Sequence, residues 1–88
     1  MARVALDEAG NGLVAWEYVT AYDESCECWT HAEYRARTYI PDSGFGPATT
    51  LEAFDDPRLN YLALAMNAAG VGVAVWSADG VGRARMFR

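Results

Sequence analysis

Cys26, Cys28 and His31 stand together in the stretch DESCECWTH, residues 23–31, beside Asp23, Glu24 and Glu27. Thiolate and imidazole are the ligands zinc prefers, and a carboxylate could complete a tetrahedral set. The spacing fits poorly, because structural zinc sites usually place two residues between their cysteines and draw a second ligand pair from elsewhere. No other Cys or His exists in the chain. A direct Cys26–Cys28 bridge across an extended segment needs Cα atoms near the upper end of the bridging range. A catalytic Cys–His pair would need an orienting group and an oxyanion site, and no residue pattern supplies either. The remaining reading is the tip of an elongated hairpin, with the cysteines acting as small hydrophobes and His31 and the acids solvated. Cys26, Cys28 and His31 are carried forward as weak metal candidates only, and no cofactor is expected.

A second set of residues could recognise rather than react. Arg35 and Arg37 precede Tyr39, and Arg83 and Arg85 precede Phe87 in the same arrangement. Guanidinium forks beside aromatic rings suit acidic sugars or carboxylates. The alternative is an edge strand whose arginines pair with nearby acids. Trp29, flanked by polar residues, is a candidate exposed contact, whereas Trp16 and Trp76 end apolar runs and are expected in the core. The acids Asp7, Glu8, Asp55 and Asp56 raise the question of paired carboxylates for glycoside hydrolysis. Asp7 lies in a turn cluster where local hydrogen bonding accounts for it, so no catalytic residue is assigned and the chain is read as non-enzymatic.

The elements that position these residues follow from a repeat. VALDEAGNGLVAW (4–16) aligns with LAMNAAGVGVAVW (64–76) at an offset of sixty. RARTY (35–39) aligns with RARMF (83–87) at an offset of forty-eight, so the first copy carries twelve extra residues within 17–34. The stretch DESCECWTH lies inside that insertion. The expected organisation is a single module over 1–88, with copy one at 4–54 and a truncated copy two at 62–88.

Each copy begins with two short apolar runs around a turn cluster, which is a β-hairpin signal. HAEYRARTYI alternates strictly and reads as a strand, with Arg35, Arg37 and Tyr39 on one face. PDSGFGP (41–47) reads as a loop and ATTLEAF (48–54) as a fourth strand. The fold class expected is all-β: antiparallel four-stranded meanders of β-propeller blade type, about one and a half blades. The competing expectation is α+β with a helix at about 57–69, where Asp56, Pro57 and Gly70 are placed as cap, first turn and stop.

Composition bounds the function. The 88 residues carry a net charge of −5, with no lysine, and 52% are apolar. A chain so small buries only roughly 60–65% of its unfolded surface. The acidic balance opposes nucleic acid and anionic lipid, both of which need a positive surface. No apolar run approaches the ~20 residues of a membrane-spanning helix, and MARVALDEAG has no signal-peptide pattern.

The pattern VALDEAGNGLVAW … YRARTYIPDSGFGPATTLE … YLALAMNAAGVGVAVW resembles the repeats of large bacterial secreted or surface proteins regarded as β-propeller-like. In these an A-x-D-x-x-G-N-hydrophobic-W hairpin precedes an aromatic-ended strand and a G-W-G-x-P loop. Phe45 stands here at the loop tryptophan and Asn67 at the second turn aspartate. The resemblance implies a blade-like fold and an extracellular or cell-surface setting, and is nearly silent on activity. In length and repeat number the chain is also similar to small lectins built from two-repeat chains, although no binding residue carries over. The functional expectation is a recognition module for glycans or a protein, with Trp29, Arg35, Arg37, Arg83 and Arg85 as contacts. Its alternatives are an assembly fragment of a longer array and a small metal-binding protein. Because part of a blade leaves open strands and faces, a homo-oligomer or further repeats are expected as partners.

Overall fold

The computed structural model describes residues 2–54, 61–78 and 81–87, with the side chains of Trp29 and Ala78 excluded. These residues form strands and turns, and no helix is present among them. The strands are β1 (Ala2–Leu6), β2 (Gly12–Asp23), β3 (Cys28–Ile40), β4 (Gly44–Phe45), β5 (Thr49–Phe54), β6 (Tyr61–Met66), β7 (Gly72–Ala78) and β8 (Val81–Phe87). The first sheet runs β1-β2-β3, with both β4 and β5 paired to β3, and the second runs β6-β7-β8. All pairings are antiparallel. The fold is therefore all-β. The loop expected at 41–47 contains the two-residue β4, whose Phe45 ring lies 5.1 Å from Tyr39.

The helix alternative fails over the residues described, while its first four, 57–60, lie outside them. Tyr61–Met66 is a strand because alternation serves it better than a 3.6-residue period. Leu62 and Leu64 point to the second sheet's packed face and pair with Trp76 and Ala74. Tertiary pairing outweighs the modest helix preference of a Leu- and Ala-rich segment.

The two leading hairpins are built alike. Trp16 pairs with Arg35 and Val14 with Arg37 in the first sheet, while Trp76 pairs with Arg83 and Ala74 with Arg85 in the second. Each turn hangs on one side-chain oxygen. Asp7 Oδ1 accepts from the N–H groups of Ala9 and Asn11, both at 2.9 Å. Asn67 Oδ1 accepts from those of Ala69 and Val71, at 2.9 and 3.1 Å. Gly10 and Gly70 take φ values of 89° and 79°, a conformation that Ala would adopt only under strain.

The sheets pack face to face. Leu13, Ala15, Ala32, Tyr34, Ala36 and Phe54 from the first sheet meet Leu62, Ala74 and Trp76 from the second, and all are buried. Alanine supplies four of these nine, which lets the layers approach closely. Adding a Cβ to Gly72 would bring it within 3.0 Å of Leu13 Cδ2. Glu52 on β5 ties the layers: its Oε1 accepts from the Trp76 indole N–H at 2.7 Å and from Arg83 Nε at 2.8 Å. The Tyr34 hydroxyl is buried without a hydrogen-bond partner among the described residues, and burial, helped by Glu17, pushes its pKa up to about 12.

Two outcomes follow from these contacts. Glu52→Ala leaves the buried Trp76 N–H without an acceptor and should cost about 1–3 kcal/mol in urea unfolding. Glu52→Gln keeps an acceptor oxygen and should cost clearly less, and equal losses would dismiss the indole bond as the cause. The second outcome concerns acid. Asp7 is held below its ordinary 3.8, first by the Asn11 side-chain amide, with burial opposing it and backbone N–H groups of Asn11, Ala9 and Gly10 adding to the lowering. Its stabilisation is complete above the unfolded pKa and is lost as pH falls through the lowered folded value. Asp7→Asn copies the uncharged Asn67 turn, so its thermal midpoint should fall less than that of the wild type below about pH 4. Parallel acid slopes in the two proteins would remove Asp7 as a source.

Candidate binding surface

The stretch 23–31 forms the far end of the β2–β3 hairpin. Twelve strand residues at ~3.3 Å each extend about 40 Å, which accounts for most of the molecule's 47 Å long axis. Beyond the Ala32↔Phe54 pair no described residue pairs with the outer edge of β3, so among the described residues the far end is a two-stranded ribbon. Register shifts between Val19 and Tyr22 mark where it leaves the sheet, and residues 20–27 are exposed. Asp23 closes the tip by accepting from the N–H and hydroxyl of Ser25 at 2.8 and 2.7 Å. The Ser25 hydroxyl is the main reason its carboxyl sits below 3.8.

Here the structure corrects the sequence reading. Cys26 and Cys28 are joined in a disulfide, with Cα atoms 5.3 Å apart. An extended segment would hold them farther apart; Glu27, at φ 53°, curls the chain and brings them into the ordinary bridging range. Two sulfurs in a bond supply no thiolate, so the Cys26, Cys28 and His31 metal reading loses two ligands. Among the described residues no three of His, Cys, Asp or Glu come together to hold a metal ion. The disulfide closes the smallest of loops, and loop entropy grows with length. Cys26→Ser with Cys28→Ser should therefore lower stability by no more than about 1–2 kcal/mol in denaturant titration. A loss of twice that would show the tip to be coupled to the core.

The candidate contacts divide between surfaces. Arg35 and Arg37 lie on the outer face of the first sheet, opposite the side that carries Tyr34 and Ala36. Arg35 lies 4.1 Å over the Tyr18 ring and pairs with Glu33. Arg37 lies 5.2 Å from the Phe45 centroid and donates from Nε to the Gly46 carbonyl at 2.8 Å. Arg83 and Arg85 are on β8 in the second sheet, on the face toward the first. Arg83 is tied to Glu52, and Arg85 lies 5.5 Å from the Phe87 ring. The four arginines thus do not form one site. Trp29 pairs with Tyr22 in the backbone ladder, and its side chain lies outside the described residues.

Residues not singled out from the sequence complete the first sheet's outer face. Val4 and Leu6 are 63% and 65% exposed, and they continue through Val14 and Trp16 toward Tyr18 and Phe45. Trp16, expected in the core, is only partly buried, because none of the described residues covers this face as the first sheet covers Trp76. The signal was available: period two places residues 2, 4, 6, 14 and 16 on one side, away from Leu13 and Ala15. Between the sheets, near the turns, is a cleft of about 190 Å³ lined by Leu13, Thr38, Met66 and Phe87. That is below the roughly 300 Å³ at which small-molecule sites begin.

No protein-family model matches the chain, and comparison with curated proteins and with solved structures returned no match.

Proposed function

We propose that the chain is a non-catalytic β-repeat binding module of propeller-blade type, with the outer face of the first sheet as its contact surface. The observation that carries this is the exposed row Val4, Leu6, Tyr18 and Phe45, flanked by two arginines held over aromatic rings. Large exposed apolar patches on small domains mark interaction sites, and arginine with aromatic residues is the composition of interface anchors. The strand order supports the blade. A meander passes from β1 through β2 and β3 to β5, and β6 then begins again with the same turn. The ligand class is a protein or a glycan presented at a cell surface. Arg35 and Arg37 meet it with planes already fixed by Glu33 and Gly46, which limits the ordering cost of contact.

A second reading, the assembly unit of a longer array, is favoured by one further observation: the second sheet also exposes an apolar face, through Tyr61, Val75 and Met86. The two readings separate in a binding screen of the 88-residue protein on glycan and cell-surface protein arrays. As a recognition module it should bind, with Arg35→Ala and Trp29→Ala each lowering affinity about tenfold, the loss expected from about 1.4 kcal/mol of contact. Signals unchanged in both variants would sink the recognition reading.

A further inference from the structure

The face that the second sheet turns outward repeats, along β6, β7 and β8, part of a face that the first sheet buries. Strand pairing puts Ala65, Val73 and Met86 on that outward side, with Val75 and Ala84 beside them. Their partners under the repeat are Ala5, Leu13, Thr38, Ala15 and Ala36, on the first sheet's inner side. Leu13, Ala15 and Ala36 are fully buried there, under the second sheet. Val75 and Met86 remain 42% and 57% exposed, and the described part of this face carries no charged residue.

The covering wall is also present twice. In the cleft between the sheets, Leu13 and Thr38 form one side, and Met66, Ala69, Gly70 and Phe87 the other. A hollow of about 260 Å³ on the outward face is lined by Ala65, Met66, Val73 and Met86. It is the first side of the same cleft with the second side missing. The counterparts of that missing side are Leu6, Ala9, Gly10 and Tyr39, of which Leu6 and Tyr39 sit on the first sheet's outer face. One molecule thus exposes both halves of much of an interface it already forms internally, although the three-stranded second sheet has no counterpart of the β5 residues Glu52 and Phe54.

We infer that this chain binds a second copy of itself head to tail, the outer face of one molecule's first sheet seating on the outward face of the next molecule's second sheet. The inference rests on the proposed contact surface and names its partner. Glycine stands at the centre of both interfaces: internally the Gly72 backbone takes Leu13 against it, and its counterpart Gly12, over which the molecule's own Leu6 now lies, faces Val73 between molecules. At the periphery, the fully buried Tyr34 fills the internal position whose counterpart between molecules is Gly82. An added Cβ at Gly82 would meet nothing within 4 Å, so this side is open where the internal interface is filled. Because the two faces differ, the contact is heterologous, and it propagates until a ring closes or a fibre grows.

The test measures mass in solution by light scattering or native mass spectrometry on the intact 88-residue protein. Wild type should run at a multiple of its 9.6 kDa protomer. Leu6→Asp disables one face and Met86→Asp the other, so each variant alone should be monomeric. Mixed, they should form a one-to-one pair through the two faces left intact, an outcome that a symmetric dimer cannot give. Val4→Asp and Val75→Asp repeat the design at neighbouring positions, with circular dichroism showing that each variant keeps its strands. A monomeric wild type, or single variants that pair no better when mixed, overturns the inference. If the monomer still binds an arrayed ligand, and loses it in Leu6→Asp, the contact surface stands and only its partner is wrong. If it binds nothing and stays monomeric, both fall.

Discussion

The structure depends on two sheets meeting through a layer that is thin and rich in alanine. Ala15, Ala32, Ala36 and Ala74 contribute little apolar area themselves, but their size lets Leu13, Tyr34, Phe54, Leu62 and Trp76 interdigitate across a short gap. A single acid then fixes the relative position of the layers, since Glu52 reaches from β5 to both Trp76 and Arg83. Hydrophobic contact supplies most of the attraction but is non-directional, whereas the buried indole bond has one satisfying geometry. Register between the sheets is therefore set by polar contacts at the periphery, including the Arg3 Nε bond to the Leu62 carbonyl at 3.3 Å.

That arrangement makes the same residue mean different things in the two hairpins. Trp76 is 4% exposed beneath the first sheet, while Trp16, at the matching register, has no layer of described residues above it. Met66 packs against the core, and Leu6 stands out into solvent. Intrinsic preference cannot explain the contrast, because the residue types and strand pairings are alike. What differs is whether another sheet covers the face. A two-layer stack has two inner faces and two outer ones, and a repeat that makes all four apolar leaves the outer pair exposed.

Much of this fold was legible because period-two alternation and turn chemistry are local. HAEYRARTYI could be assigned to a strand with its faces correctly sorted, and the Asp7 and Asn67 turns followed from residue type. The segment 61–70 was ambiguous, since Leu and Ala serve helix and strand alike and only pairing with β7 decides. Burial was harder to read. An apolar residue such as Trp16 was assigned to the core because the sequence carries no record of how many layers cover it. The Cys26–Cys28 bridge was discounted for a similar reason. It depends on one residue, Glu27, taking a left-handed conformation that no rule requires of a glutamate. Glu52 was missed altogether, since its role is defined by a tryptophan twenty-four residues away.

The tip of the long hairpin now has a physical setting distinct from the faces. Past Ala32 no described strand pairs with either edge of the ribbon, and the shifts between Val19 and Tyr22 break the strict alternation that the packed faces impose. Constraint on residue type falls sharply there, which is why polar and charged residues crowd the segment without harm to the core. A disulfide between neighbours and an Asp23 turn are enough to shape it, because both act within a few residues. The molecule consequently separates two kinds of surface. Its sheet faces are bound by the geometry of stacking and must stay apolar and flat. Its hairpin end is free of that geometry, and its residues can change without altering how the sheets meet.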